Sequence, residues 1–439
     1  MKRNILILLL FTFTDTWIYA QTINSCKLDS FLNYVDSHNQ EIGKIVISQK
    51  NKIYTYHFKK TNVINPSNAK YRIGSISKML TAIITYKLID NGKLSLIDTL
   101  SRFFPDIPNA KNITIKHLLN HTSGLGDFVV KQDTLIYWLT KPVDRKEIYQ
   151  EIKRQHVYFQ PGADCRYSNT GYFLLARILE KVSGKTYSEL LNEYITKPLN
   201  LKNTLSGMDE GAGVMQSYCL NTNNDWSVMK DFYYPNIIGV GDIISTPEDI
   251  NSIITAIFDY ILISKKDLDI MLPNKNQQFG CGMMAFNLYG NRGYGHEGDT
   301  FGSHSVTFYD PDNDIAFSMC LCGSAYSPEQ LLINIINIVY NKPCMLPIFP
   351  TQYKKCNIDQ LKKFTGIYEN KEDHLSMNVF IQGNDLMAVV PGQPSFTLEA
   401  YSETEFGNSS SQLRLIIKLD ENNIELVQRG LFITLHKVN

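Results

Sequence analysis

Between residues 24 and 40 the apolar positions Leu28, Phe31, Leu32 and Val35 recur at helical spacing. The run "GKIVISQKNKIYTYHF" then carries two β-rich stretches around Gln49-Lys50-Asn51. The first pattern predicts a helix and the second a hairpin. In "SKMLTAIITYKLIDNGKL" apolar residues fall at 79, 80, 83, 84 and 88 before Asn91-Gly92, predicting a helix closed by a glycine cap. "TIKHLLNHTSG" and "TGYFLLARILEKVSG" predict two more, ending at Gly124 and Gly184. "GVGDIISTPEDI" reads as a turn into a helix capped by Ser245 or Thr246. "SHSVTFYDPDNDIAFSMC" predicts a hairpin turning at Asp310-Pro311-Asp312, and "SPEQLLINIINIVYNK" a closing helix. Strands at both ends with helices between them predict an α+β domain: an antiparallel sheet flanked by helices, with a helical lobe inserted.

Prolines at 343, 347 and 350 break the pattern and place a boundary there, dividing residues 21–345 from 346–439. The second segment alternates in short strands, with turns at Gly383-Asn384 and Glu421-Asn422. That predicts a small all-β domain, a barrel or a sandwich.

The amino terminus follows a different logic. Lys2 and Arg3, an apolar run from Ile5 to Phe13, and Ala20 before Gln21 have the order of a secretory signal over residues 1–20. The run is shorter than the ~20 apolar residues of a spanning helix. No later segment looks transmembrane, so the expected location is secreted or periplasmic, with no integral membrane segment after cleavage. Lysine plus arginine equals aspartate plus glutamate, 43 each, which removes nucleic acid from the expected partners and leaves a small molecule or short peptide. Nothing in the sequence bears on oligomeric state. Eight cysteines in an oxidising compartment permit disulfides, although Cys320 and Cys322 alternate on one strand and are expected to share a face without bridging.

Candidate chemistry starts at "GSISK", residues 74–78, where Ser75 and Lys78 are three apart at the start of a periodic helix and so share a face. Spacing alone is equally compatible with a helix N-cap and with a nucleophile beside its base. The same S-x-x-K pattern occurs in "SNAK" at 67–70 and "SVMK" at 227–230, neither of which opens such a helix. Tyr167 and Asn169 precede another helix after a Pro161-Gly162 turn, and the Y-x-N triplet also recurs at 234–236 and 368–370. His117 and His121 are four apart, the spacing of two zinc ligands, but no glutamate follows the HExxH pattern and no third ligand is evident, so no metal is expected.

Taken with "HLLNHTSGL" at 117–125, "PGADCRYSNTGYFLLARILEKVSG" at 161–184, "GVGDIISTPEDI" at 239–250 and "GHEGDTFGS" at 295–303, "GSISK" makes five motifs in one order. Over about residues 25 to 340 the chain resembles the serine β-lactamase and penicillin-binding-protein superfamily, in its class C β-lactamase, D-aminopeptidase and esterase branch. The resemblance implies a β-lactamase/transpeptidase-like fold and no cofactor. It also implies Ser75 as nucleophile, Lys78 with Tyr167 as the acid/base pair, and Asn169 orienting the lysine and the substrate amide. The backbone N–H groups of Ser75 and Asp299 would form the oxyanion hole, with His296 and Gly298 on the strand beside the substrate. Where β-lactamases and carboxypeptidases carry Lys-Thr-Gly, this chain has His296-Glu297-Gly298. A histidine supplies only a conditional charge for a substrate carboxylate, and Gly298 would let substrate lie along the strand edge. The expectation is therefore a hydrolase of a small peptide, amide or ester. A true β-lactamase or penicillin-binding carboxypeptidase, and a binding protein that retains the pocket, stand as alternatives.

Overall fold

The computed structural model describes residues 23–438 apart from 51, 61, 130–139, 208–212, 221–224, 345, 348, 350–355, 372–374, 392–394, 409–412, 419–421 and 429–430. The expected signal at 1–20 lies outside the described residues. Helix α1 (Ser25–Ser37) is capped by Asn24, whose side chain accepts from Lys27 N–H, and it buries the four apolar positions of the sequence pattern. Strands β1 (Glu41–Gln49) and β2 (Lys52–Phe58) form the expected hairpin. After β3 (Tyr71–Arg72) comes α2 (Ser77–Asp90). The lobe then supplies α3 (Ile115–Leu119), α4 (Arg145–Arg154), α5 (Asn169–Ser183) and α6 (Tyr187–Leu191).

Two short strands, β4 (Tyr218–Leu220) and β5 (Trp226–Val228), and the pair-former β6 (Ile244–Ser245) lead to α7 (Pro247–Phe258) and α8 (Lys265–Met271). Strands β7 (Met284–Leu288), β8 (Asn291–Asp299), β9 (His304–Asp310) and β10 (Ile315–Ser324) precede α9 (Pro328–Val339). The sheet runs β2-β1-β10-β9-β8-β7, antiparallel throughout this path, with β4 joined to β10 in parallel. The first and last long strands of this domain thus meet inside the sheet, β1 against β10.

The sheet is covered on both faces. One core cluster joins α1 and α9 to residues such as Ile45, Ile47, Phe317 and Met319. The other, larger cluster packs α2, α5 and α7 on the opposite side. This explains why β1 is buried almost end to end instead of alternating. Helix α2 is also buried nearly all round, from Ser77 to Leu88, so it is a core helix and not an amphipathic surface one.

Most helix ends follow the local chemistry. Gly184 closes α5 in the left-handed region (φ 73°), and Thr246, one of the two expected caps, accepts from Asp249 N–H to open α7. The helix expected to run to Gly124 stops at Leu119 instead. His121 adopts φ 62°, and Thr122 N–H turns back to His117 O (3.0 Å). The chain leaves the helix to bring His121 beneath the site. All eight cysteines are free thiols, so the permitted disulfides do not form. Cys320 and Cys322 lie buried in one core cluster, where they pack as small apolar groups.

The carboxy-terminal domain is a closed eight-stranded barrel, which decides between the barrel and sandwich expectations. Its strands, from Gly366–Asn370 to Leu431–Val438, each pair with the next, and the last closes on the first through Tyr368↔Lys437. Gly383 (φ 64°) and Asn422 (φ 53°) make the two turns foreseen, while Glu421 lies outside the described residues. Side chains such as Met377, Leu386, Phe406 and Leu415 fill the interior. Among the described residues no helix is long and apolar enough to cross a membrane.

Candidate active site

Ser75 sits in a 3-10 turn, Gly74–Ile76, which feeds directly into α2. Its hydroxyl caps nothing: α2 is entered through Ile76 without a side-chain cap, so the N-cap reading does not hold. Instead Lys78 Nζ donates to Ser75 Oγ at 2.8 Å and to Val240 O at 2.9 Å. The competing S-x-x-K copies end elsewhere. Ser67 offers its backbone carbonyl to Lys44, and Ser227 lies on β5.

Burial of α2 has a chemical consequence. Lys78 has no exposed surface, and desolvation lowers its pKa from 10.5 to about 7, against the opposing charge of Asp127. Near neutral pH, therefore, a substantial share of Lys78 is a free amine. Tyr167 comes from the loop before α5, and its phenol shares a hollow with Ser75, whose hydroxyl lowers the phenol's pKa against burial. The Lys78 ammonium nitrogen stands 5.0 Å from the Tyr167 ring centre. Burial pushes the Tyr167 phenol well above its ordinary pKa, so it remains a proton donor at neutral pH. Hydroxyl, amine and phenol thus converge as the sequence motifs anticipate.

The strand opposite is docked backbone to backbone. A Cβ on Gly298 would lie 2.2 Å from Ile73 O and 2.4 Å from Ser75 N, and one on Gly74 (φ 50°) would lie 2.8 Å from Asp299 N. Glycine is required at both places because β8 and the Ser75 turn touch with no room for a side chain. The small residue at 298 serves this docking, and it also lines the hollow beside Ser75. The same contact brings the Ser75 and Asp299 amides close together.

His296 also departs from expectation. Its ring is buried, Nδ1 lies 2.5 Å from Glu297 O, and desolvation together with Lys78 lowers its pKa from 6.5 to about 3. The imidazole is neutral, with Nδ1–H donated to a carbonyl, so the conditional positive charge is absent at neutral pH. Asn169 is likewise occupied differently. Its backbone N–H and Nδ2 donate to Asp127 Oδ2 at 3.1 and 2.9 Å, and Val240 O rather than Asn169 orients the lysine. Asp299 faces outward and pairs with His304 (Oδ1–Nδ1 2.5 Å).

Three positioning groups escaped the sequence reading. His121 stacks on Tyr167 with ring centres 4.5 Å apart, and its Nδ1 accepts Ser168 N–H at 3.1 Å, while the His117 ring accepts Thr114 N–H. The histidine pair thus works as a prop and a cap; among the described residues no group of three or more His, Cys, Asp or Glu is placed to hold a metal. Asp242 is fully buried and accepts from Gly239 N–H (2.7 Å) and Ser206 Oγ (2.7 Å), fixing the turn that presents Val240 O to Lys78. Asp127 is the third. The only sequence signals were the second histidine of "HLLNH" and single aspartates beside glycines, which carry no spacing rule.

Two hollows flank Ser75. One, of about 270 Å³, is lined by Tyr167, Gln278, Phe279, His296 and Glu297. The other, of about 80 Å³, lies among Val129, Asn169, Phe232, Ile237 and Val240. Among the described residues no lysine or arginine lines the first, and Glu297 and Asp299 put acidic character at its rim.

The buried imidazoles predict acid lability. The unfolded chain binds a proton at His296 near pH 6.5 and the folded chain only near 3, so across that window the unfolded state carries more protons. Stability therefore falls as pH drops from 6.5 toward 3. Melting temperature followed by differential scanning fluorimetry should decline over this range, and His296→Gln should flatten the decline; an unchanged slope would refute the neutral assignment.

Comparison with known proteins places this arrangement. The family described as Beta-lactamase matches residues 36–331. The chain is 28% identical over 262 residues to the putative penicillin-binding protein PbpX of Bacillus subtilis (strain 168), covering 57% of this chain and 62% of that protein. It is 28% identical over 233 residues to teichoic acid D-alanine hydrolase of Staphylococcus aureus, covering 52% of this chain and 54% of that one. The chain thus spans less than two thirds of the length of either relative. The octameric penicillin-binding protein homologue from Pyrococcus abyssi superposes with a TM-score of 0.65 at 22% identity, over 94% of this chain and 100% of that chain, a likeness of fold that takes in both domains.

Proposed function

This chain belongs to the β-lactamase family, and we propose that it is an exported serine hydrolase that cleaves a small amide, peptide or ester through an acyl-enzyme on Ser75. The observation that carries the reading is Ser75 Oγ held at 2.8 Å by the fully buried Lys78, whose pKa is lowered to about 7, with Tyr167 lining the same hollow. Export rests on the Lys2-Arg3 charge, the apolar run and Ala20.

The steps follow from proton affinities. Neutral Lys78 takes the Ser75 proton as Oγ attacks the carbonyl carbon. The carbonyl oxygen becomes an oxyanion facing the amides of Ser75 and Asp299, where each donor is worth ~3–4 kcal/mol in comparable sites. As the tetrahedral carbon collapses, the protonated Tyr167 gives its proton to the leaving nitrogen or oxygen and regains one from the Lys78 ammonium. Water then attacks the acyl carbon, giving its proton to the same pair, and Ser75 Oγ leaves reprotonated.

The charge distribution narrows the substrate. A neutral His296 and the acidic Glu297 and Asp299 offer no partner for a substrate carboxylate, which counts against carboxylate-terminated peptides and penicillins. They favour a neutral or amine-bearing acyl donor. The hollow of about 80 Å³ is roughly half the ~150 Å³ of a cavity that holds benzene, so the acyl side chain it suits is alanyl-sized. An alanyl ester or amide fits these limits, and the name of the staphylococcal relative is in keeping with them.

A fluorophosphonate probe tests the mechanism. Labelling should map to Ser75 and vanish in Ser75→Ala, whereas labelling that survives the substitution ends the proposal. A side-by-side panel of D-alanyl esters, D-alanyl amides, N-acetylated counterparts, carboxylate-terminated peptides and nitrocefin tests the substrate class. Fast nitrocefin turnover with inert alanyl esters would assign a β-lactamase instead. Absence of both labelling and turnover would leave a binding protein.

A further inference from the structure

Helix α5 carries Tyr167 and Asn169 at its entrance, yet its N-cap residue, Ser168, makes no capping bond. The entrance is held instead by a separate segment in three successive rungs. Ser168 Oγ donates to Gly126 O (3.3 Å), Asn169 N–H and Nδ2 donate to Asp127 Oδ2 (3.1 and 2.9 Å), and Phe128 N–H donates to Thr170 Oγ1 (3.0 Å). The middle rung is the carboxyl one: burial raises the Asp127 pKa, while the Asn169 and Val129 N–H groups and Lys78 oppose that shift. Asp127 also accepts Val129 N–H at its other oxygen (2.9 Å), which spends both carboxylate oxygens on fixed donors. A carboxylate supplied from outside the helix thus does the work of the missing cap and meets the positive end of the helix dipole.

We propose that Asp127 is a positioning residue for the Ser75 reaction: it locks Asn169 at the rim of the cleft and sets its carboxylate within electrostatic reach of Lys78. The inference rests on the acyl-enzyme reading of Ser75. Three features set it apart from a helix cap alone. Asn169 Nδ2 points to the carboxylate, which fixes the side-chain amide in one orientation and turns Oδ1 away from Asp127. Asn169 lines the smaller hollow beside Ser75. The Asp127 charge, moreover, acts on both reacting partners, favouring the ammonium form of Lys78 and the protonated form of Tyr167.

The groups facing Lys78 come from several elements. They are Ser75 and the phenols of Tyr167 and Tyr172, the imidazoles of His121 and His296, and the Asp127 carboxylate. Glu297 and Asp299 act on Tyr167 from β8. Both imidazoles are held neutral by burial, so Asp127 is the carboxylate whose charge bears on Lys78 directly. Removing it lowers the proton affinity of Lys78 further, because an anion beside an amine favours the charged form.

The test is the rate of fluorophosphonate labelling of the full chain against pH, for wild type, Asp127→Asn and Asp127→Ala, with melting curves in parallel. The wild-type rate should rise through about pH 7. Asp127→Asn keeps the shape and an acceptor oxygen for Asn169 but turns its amide nitrogen toward Val129 N–H, so its melting temperature should fall less than that of Asp127→Ala while the rising limb moves about one pH unit toward acid. Asp127→Ala loses the hold and should lower the plateau rate by about tenfold. Melting temperatures that fall in both variants with the limb unmoved would make Asp127 a helix cap alone and overturn the inference, as would a limb that moves toward alkali. Failure of the wild type to label at Ser75 sinks the acyl-enzyme reading and this inference together. A labelled wild type with an unmoved limb sinks the inference alone.

Discussion

Lys78→Met is expected to lower the rate of Ser75 acylation by about 10²–10⁴-fold, the usual worth of a positioned general base, while making the protein harder to melt. The two effects have one cause. Lys78 is buried without exposed surface, and its pKa is lowered from 10.5 to about 7 by desolvation. The unfolded chain therefore binds the extra proton between pH 7 and 10.5, so stability rises with pH across that window and the penalty is full below it. Methionine fills similar space without a charge to desolvate. It leaves Val240 O without its donor, which costs about 1–3 kcal/mol, against a larger gain from removing the buried amine. The net expectation is a stabilisation of roughly 1–3 kcal/mol at pH 7 that shrinks toward pH 10.5. Chemical denaturation at both pH values reads the stability, and fluorophosphonate labelling reads the rate. A variant that loses stability at pH 7, or labels at the wild-type rate, contradicts a desolvated base at this position.

Gly298→Ala should be nearly as damaging although it adds one methyl group. That carbon would sit 2.2 Å from Ile73 O and 2.4 Å from Ser75 N, both backbone atoms that cannot rotate away. Either β8 or the Ser75 turn must move by about 1 Å, and a displacement of that size costs about 10²-fold where reacting groups are held in place. Overpacking adds about 1–3 kcal/mol of destabilisation. The expected result is a labelling rate down about 10²-fold with a lower melting temperature. Full labelling with an unchanged melt would mean that the two backbones are not in contact.

Much of the site was legible because its motifs are local. Ser75 and Lys78 share a helical face by spacing, and Tyr167 and Asn169 announce a helix start after a Pro-Gly turn. The pattern of strands at both ends around central helices correctly implied an antiparallel sheet covered by helices, while the pairing of the first long strand with the last was not legible in it. The misreadings concern contacts between distant segments. His296 looked like a conditional cation because the composition of a strand says nothing about how much protein covers it. Gly298 was read only as room for substrate, and its close docking against the Ser75 turn could not be seen from the strand alone. The helix through "HLLNHTSG" was drawn too long because no local signal marks His121 for a left-handed turn.

Alone, the order of residues marked the candidate side chains for the chemistry and determined where most helices begin and end, and that two domains follow one another. Those properties depend on spacing, capping and alternation over a few residues, and they survive without knowledge of the fold. Only the tertiary structure decided the proton affinities of Lys78, Tyr167 and His296, the unpaired state of the cysteines and the service of Asp127, His121 and Asp242 to neighbours far along the chain. Charge, burial and hydrogen-bond partners at a site depend on what surrounds it in space, and for these groups most of that surrounding is contributed by segments of the chain remote from them in sequence.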